Sequence, residues 1–462
     1  RYLRITGQAN KGLLELGEVA LFDLEGNRVN LSASASPLFD EQETVPEKTT
    51  YYDSAYFDEI YHPRTAWEHI RGIEPYEISH PPLGKLIMGV GIRLFGMTPF
   101  GWRFMGTLFG VGMLPLLYVF LKNLFGRTSI ATCGTVLLAA DFMHLTQTRL
   151  ATIDTYAFFF ILLMYYFMYR YLTLPAGAPF RKCALPLFLS GLFWGIGAAS
   201  KWTVIYGCTG LVVLYFIGLY QKLRDWPADG ETGARQPGRL KWAFQILAFS
   251  VLVFALIPAA IYTLSYLPYA WAEGDSSLTG LVGAMWENQR YMLSYHSGVT
   301  DTHPYSSRWY QWLFDIRPIL YYMDNSVPGY TTRFAAFVNP VVCWGGLLAV
   351  LACAAQAVRR RCAKALFIVI GYLAQLVPWF FIGRITFAYH YFPSVLFLIL
   401  ALCYVFYSLS EQEELIAWKP AMYAITAGAA ALYALFYPVL VGIQIPSWYG
   451  TCLLRWLPSW PF

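Results

Sequence analysis

Residues 57 to 85 read FDEIYHPRTAWEHIRGIEPYEISHPPLGK, and shortly after them, at 101 to 121, stands GWRFMGTLFGVGMLPLLYVFL. The first stretch is polar and rich in carboxylates. The second is close to the ~20 mostly apolar residues that a helix needs to cross a bilayer. Asp58 and Glu59 lead the polar stretch, and His80, Pro81, Pro82 and Lys85 close it, where two prolines force extended backbone before the chain turns into a helix. The rest of the sequence repeats the second kind of stretch. Apolar runs lie at about 128–146, 151–171, 185–200, 203–220, 242–267, 336–357, 365–382, 387–408 and 420–442. They are continuous and lack the ~10-residue alternation of barrel strands, so the fold class is an all-α polytopic membrane protein. Residues 83–98 are shorter and glycine-rich, which predicts a re-entrant or interfacial helix.

Composition agrees. The chain is 57% hydrophobic and 18% aromatic, with 13% charged residues against the usual ~25%, which excludes an ordinary soluble enzyme. The net charge of +5 resides in the links between runs and speaks of orientation rather than nucleic acid. The eight cysteines form no CxxC pair and no zinc spacing, so neither a disulfide framework nor a metal centre is expected.

Ahead of this region, RYLRIT and LGEVALFDLEGNRVNL read as strands around an Asp-Leu-Glu-Gly-Asn-Arg turn. Two strands bury no core alone, so residues 1–31 are expected to be the last strands of a larger extracytoplasmic β-sandwich, similar to the galactose-binding type. Residues 32–50 are a polar linker, and 51–462 form the membrane domain.

Orientation follows from the links. Lys122 and Arg127, then Arg170, Arg181 and Lys182, the cluster from Lys222 to Lys241, Arg359 to Lys364, and Lys419 fall in alternate connections, which the positive-inside rule places in the cytoplasm. The opposite connections hold residues 57–100, the turn with His144, Arg149 and Asp154, the turn at Lys201, the long 268–335 segment, and the turn with Arg384 and His390. The 268–335 segment is too long for a simple link and is rich in Trp and Tyr, as suits a piece that lies on the interface and covers a site.

One membrane face therefore carries the chemistry. Arg103, Arg149, Lys201 and Arg384 each stand alone at the outer end of a span, where snorkelling explains any single one and an anion site better explains four. Asp154 reads as a counter-charge for Arg149. His80, His303 and His390 read singly as interfacial aromatics with a polar tip. No GxxxxGK loop offers a nucleotide site. A carboxylate beside membrane-level cations fits transfer of a sugar from a lipid phosphate to a hydroxyl. The carboxylate takes the hydroxyl proton and the cations stabilise the departing phosphate. A lipid-carrier transporter would instead place ionisable groups at mid-membrane in repeated halves, and no repeat is visible.

The blocks FDEIYH (57–62), SHPPLGKL (79–86), WRFMGTLFG (102–110), TRLATIDTY (148–156), SKWTVIYG (200–207), HPYSSRWYQWLFDIRPILYY (303–322), NPVVCWGG (339–346) and FAYHYFPS (387–394) together resemble the protein O-mannosyltransferases, glycosyltransferases of the GT-C fold. The resemblance implies mannose transfer from polyprenyl- or dolichyl-phosphate mannose to Ser/Thr of proteins, with inversion. It implies that Asp58 is the catalytic base with Glu59 beside it, and that Arg103 and Lys201, with Arg149 and Arg384, serve the lipid phosphate. Asp154 supports the site. His80, Lys85, His303, Tyr305, Arg308, Trp309 and His390 form its rim. No cofactor is implied beyond the lipid donor, with divalent-ion assistance left open, and the partners are that donor, a protein acceptor and the secretion machinery. The location implied is the plasma membrane, with the active site outside. Another lipid-linked sugar and a glycan or lipid acceptor remain the alternative. Two departures stand out. The 268–335 segment is too short for the β-trefoil domain of eukaryotic members, so a bacterial type is expected, and Cys343 replaces a more usual tryptophan. The family's first helix is expected upstream of residue 1.

Overall fold

The computed structural model describes residues 19–29, 38–39, 42, 53–227, 238–300, 302–412 and 417–462, in two compact units, Arg1–Ala55 and Tyr56–Phe462. In the first unit, Phe22 and Arg28 form an antiparallel bridge. Its turn is closed by Asp23, whose Oδ1 accepts the Asn27 amide at 2.7 Å. The other strands expected in residues 1–31, and most of the 32–50 linker, lie outside the described residues.

The second unit is helical. It runs α1 (His62–Arg71), α2 (Leu83–Phe95), α3 (Pro99–Phe125), α4 (Thr128–Ala139), α5 (Phe142–Arg149), α6 (Asp154–Leu172), α7 (Phe180–Ser200) and α8 (Val204–Arg224). There follow α9 (Arg239–Val251), a π-helical turn at Leu252–Leu256, α10 (Ile257–Leu264), α11 (Leu267–Ala272) and α12 (Leu278–Gly298). After the single turn α13 (Trp309–Trp312) come α14 (Gly346–Arg359), α15 (Ala363–Leu376), α16 (Phe392–Ser410) and α17 (Trp418–Val441). Among the described residues, eight helices are long and apolar enough to cross a membrane, or nine if the bent pair α4 and α5 is one span. The tenth expected span, α6, is less apolar because of Tyr156, Tyr165, Tyr166, Tyr169 and Tyr171, and most of its side chains are buried. At 13 residues, α2 rises only about 20 Å, short of a hydrocarbon core.

Local sequence sets the ends. Thr98 Oγ1 accepts the Gly101 amide at 3.1 Å, and Pro99 supplies the fixed φ of a first helical position, so α3 starts there. The expected continuous span 128–146 is broken by a 57° bend. Asp141 caps α5 by accepting the His144 amide at 2.9 Å and binds the Asn339 amide at 3.0 Å through its other oxygen. Helix α16 is the axis of the bundle, since nearly every side chain from Phe392 to Cys403 is buried.

The short α2 packs against α3 through Gly91, where an added Cβ would meet the Gly101 carbonyl oxygen at 2.4 Å. Small residues allow such backbone approach between membrane helices. Gly91→Ala is therefore expected to cost about 1–3 kcal/mol, to be read as lower resistance to heat in detergent.

An antiparallel sheet interrupts the otherwise helical unit. Its strands β1 (Ile319–Asp324), β2 (Tyr330–Ala336) and β3 (Gln444–Pro446) lie in the order β1-β2-β3, with Ile319 opposite Ala336 and Thr331 opposite Ile445. It adds a β-element to a domain expected to be helical throughout. The first half of the 268–335 segment thus carries α11 and α12, and its end folds as a hairpin.

The basic links meet at one end of the bundle. Arg127 Nη2 reaches Glu411 Oε1 at 2.7 Å, Lys222 Nζ donates to the Leu172 carbonyl at 3.3 Å and to that of Leu174, and Lys364 Nζ lies 4.1 Å from the Tyr407 ring centre. Four of the five connections assigned to the opposite face border one large cavity, and the turn with His144, Arg149 and Asp154 does not.

Candidate active site

That cavity, of about 1110 Å³, is bordered by residues drawn from within 57–62, 76–80, 201–206, 291–303 and 379–390, Asp58 among them and Glu59 not. Five separate segments, from four connections, therefore supply one site. The turn Phe57–Ile60 brings in the acidic pair, and it is held in a conformation that its sequence alone would not choose. Phe57 has φ of 55°, a left-handed value that costs a bulky residue roughly 1–3 kcal/mol. Its ring is fixed by edge contacts with His303, Phe387 and Tyr389. The twist turns the two acids apart.

Asp58 faces the cavity. Burial pushes its carboxyl above the ordinary value of 3.8, against the opposing pull of His62 and Lys201. Glu59 points the other way and is 2% exposed. Its Oε1 accepts Arg103 Nε at 2.7 Å and the Ala151 amide at 2.9 Å, and its Oε2 accepts Arg103 Nη2 at 2.7 Å and the Tyr56 amide at 3.1 Å. Glu59 is thus the pin that fastens this turn to α3 and to the link between α5 and α6. Glu59, expected beside Asp58 in the site, does not border the cavity. Arg103, its partner, does not border the cavity.

Of the four outer cations, Lys201 and Arg384 border the cavity, whereas Arg103 and Arg149 do not. Arg149 packs over the Phe334 ring, 5.6 Å from its centre. Asp154, expected to balance Arg149, is paired with Lys201, whose Nζ donates to its Oδ1 at 2.6 Å. The correction has a simple cause: the α7–α8 turn folds back onto the start of α6 and brings a cation 47 positions away closer than one five positions away. Both members of this pair are buried.

A carboxylate that sequence reasoning missed organises the second wall. Glu77 Oε2 accepts Lys85 Nζ at 2.6 Å, its Oε1 lies 3.1 Å from His80 Nδ1, and His62 Nδ1 stands 3.6 Å from Oε2. Lys85, 0% exposed, also donates to the carbonyls of Glu77 at 2.6 Å and His80 at 3.2 Å. Lys85 is therefore a buried clasp rather than a rim residue. Burial works against the Glu77 carboxylate, but the Lys85 ammonium and the two histidines outweigh it and hold its carboxyl well below the usual range. Burial lowers His80 to about 3, so it is a neutral hydrogen-bonding group. The spacing of Glu77 three residues before His80 and eight before Lys85, at a polar-to-apolar boundary, was the signal available.

The 268–335 segment reaches the cavity through Tyr291, Tyr295 and His296 of α12. His296 Nε2 lies 2.9 Å from the Ser79 carbonyl. His303 borders the cavity and its Nδ1 accepts the Tyr305 amide at 3.2 Å. Trp309 stacks on Phe380 at 3.9 Å, and Tyr305, Arg308 and Trp309 do not border the cavity. His390 does, stacked face to face with Trp312. Among the described residues, no three His, Cys, Asp or Glu side chains are grouped to hold a metal ion.

Residues 96–272 match the family model described as dolichyl-phosphate-mannose-protein mannosyltransferase, and residues 281–460 match the C-terminal four-transmembrane region of protein-O-mannosyltransferase. The chain belongs to the protein O-mannosyltransferase family. Relatives of this family member include a polyprenol-phosphate-mannose–protein mannosyltransferase of Mycobacterium tuberculosis, 26% identical over 94% of this chain and 88% of that protein. A protein of the same description from Corynebacterium glutamicum is 24% identical over 96% and 92% of the two chains. In fold, the chain is similar to the Saccharomyces cerevisiae protein O-mannosyltransferase complex bound to the sugar donor, with a TM-score of 0.76 at 14% identity over 89% of this chain and 90% of that one. It also resembles ArnT of Cupriavidus metallidurans bound to undecaprenyl phosphate, with a TM-score of 0.53 at 14% identity over 85% and 73%. The GT-C fold and a multi-pass membrane protein follow, and the enzyme is a glycosyltransferase.

Proposed function

We propose that this mannosyltransferase-family member moves mannose from a polyprenyl-phosphate donor to Ser/Thr hydroxyls of proteins, at the outer face of the plasma membrane and with inversion. The observation that carries the reading is Asp58, a carboxylate of raised pKa facing a cavity that also holds Lys201 and Arg384. In the step, the acceptor oxygen attacks the anomeric carbon, Asp58 takes its proton, and the bond from that carbon to the lipid phosphate breaks. Lys201 and Arg384 stabilise the charge that gathers on the leaving phosphate. Asp154 holds Lys201 in place for this. Both cations are side chains of this protein that border the cavity. The outer location is supported by the gathering of basic links at the end of the bundle away from the connections that form the cavity. There the enzyme would meet acceptor segments beside the secretion machinery before they fold.

The reading is tested with the full chain in liposomes, a Ser/Thr peptide, and polyprenyl phosphates carrying mannose, glucose, arabinose or aminoarabinose. Peptide labelled from the mannose lipid alone supports it. Faster consumption of another donor, with label in lipid or glycan, replaces it. The raised carboxyl of Asp58 also sets a pH dependence. A base works ionised, so kcat/KM is expected to fall as pH drops through a value above 3.8, and this acid limb should vanish in Asp58→Asn. A profile whose acid limb is unchanged by that substitution would assign the base elsewhere.

A further inference from the structure

A second cavity of about 610 Å³ adjoins the first, with Thr302, Gly383 and Arg384 bordering both. Three guanidinium groups, of Arg308, Arg317 and Arg384, border it together with Thr300, Ser306 and Gln311. Among the described residues, none of the three arginines has a carboxylate partner. Arg308 and Arg317 are exposed and Arg384 is half-buried, and the loops that carry them are tied together. The Ser307 amide donates to the Thr386 carbonyl at 2.8 Å and Thr386 Oγ1 donates to the Ser307 carbonyl at 2.6 Å, which zips the two walls together. Arg317 Nη2 is held by the Pro304 carbonyl at 2.6 Å, and Gln311 Oε1 accepts the Arg308 amide at 2.8 Å.

Three like charges around one space repel one another, and an anion relieves that repulsion through paired, charge-assisted hydrogen bonds. The walls between them are mostly hydroxyls, an amide and loop backbone, with Val299, Tyr310 and Ile385 as a smaller apolar part, a mixture that suits an extended polypeptide better than an acyl chain. Apolar surface for a lipid is found instead in the first cavity, at Tyr206, Trp379 and Phe381. A single ligand lying across the shared border at Arg384 would place its hydroxyl in the first cavity and its anion in the second.

We propose that the second cavity binds an aspartate or glutamate flanking the acceptor Ser/Thr, so that the enzyme prefers acceptor segments with an acidic neighbour. The proposal rests on the protein-acceptor reading above and deepens it. It is tested with fluorescent peptides carrying one threonine and a glutamate placed in turn at each flanking position, beside glutamine and lysine counterparts, using the full chain in detergent. Binding is read by anisotropy without donor, and transfer is read separately. At least one glutamate register should bind about tenfold tighter than its glutamine counterpart, with the gain appearing in KM and shrinking with salt. Arg308→Glu should abolish the gain and favour the lysine peptide. Equal binding of glutamate and glutamine peptides at every register overturns the proposal, as does a preference that survives Arg308→Glu combined with Arg317→Gln. Loss of polyprenyl-phosphate affinity in Arg308→Glu, with acidic peptides unaffected, makes the cavity a lipid-phosphate site and also overturns it. An Arg308-dependent acidic preference without any mannose transfer keeps the cavity and removes the transferase reading. Transfer to neutral peptide without acidic preference does the reverse.

Discussion

Asp58→Asn is expected to lower the turnover number by about 100-fold to 10,000-fold while leaving the protein folded and able to hold its donor. The amide has nearly the shape of the carboxylate but takes no proton, so the loss should fall on kcat. The fold should tolerate the change because Asp58 borders the cavity and the turn is pinned by its neighbour, Glu59, which ties Tyr56, Arg103 and Ala151 together. Removing a negative charge beside Lys201 should not weaken the hold on a phosphate. Turnover kinetics and donor binding, measured on one preparation, separate these expectations. Transfer by Asp58→Asn at the wild-type rate would remove the proposed base.

Glu77→Ala is expected to act on stability. It leaves the Lys85 ammonium, 0% exposed, without the carboxylate 2.6 Å away, and stranding one member of a buried pair costs about 3–5 kcal/mol. The same carboxylate orders His62 and His80 on the cavity wall, so activity should fall with stability. Its pKa is depressed in the fold, so its contribution is complete above the ordinary value of 4.5 and is lost only as the pH falls through the depressed value. Thermal unfolding in detergent, scanned over pH, reads both effects. If Glu77→Ala unfolds at the wild-type temperature near neutral pH, the clasp carries no weight.

The sequence made the helices legible because burial in lipid demands long uninterrupted apolar runs, and the parity of the basic links picked out the connections that meet at the cavity. Two features of the fold escaped. Asp141 lies inside an apolar run, so residues 128–146 read as one span, whereas its carboxylate starts a new helix and anchors Asn339 from far along the chain. The hairpin of β1 and β2 reads in the sequence as interfacial loop because its aromatic residues serve either role. In the site, residue types were easier to read than partners. The acid pair was found, but its division into a cavity-facing Asp58 and a buried Glu59 depends on the left-handed φ of Phe57, which no local pattern announces. Pairing is a property of tertiary approach, as Lys201 with Asp154 and Lys85 with Glu77 show, whereas nearness in sequence alone points Asp154 to Arg149.

The account turns on a protein hydroxyl attacking a lipid-phosphate sugar in this cavity. The most direct measurement is a time course of wild-type protein in liposomes, with polyprenyl-phosphate mannose labelled in the sugar and a Ser/Thr peptide, reading peptide product by mass and released lipid phosphate together. The account predicts one mannose on a Ser or Thr for each lipid phosphate released. Release of lipid phosphate without mannosylated peptide would contradict it.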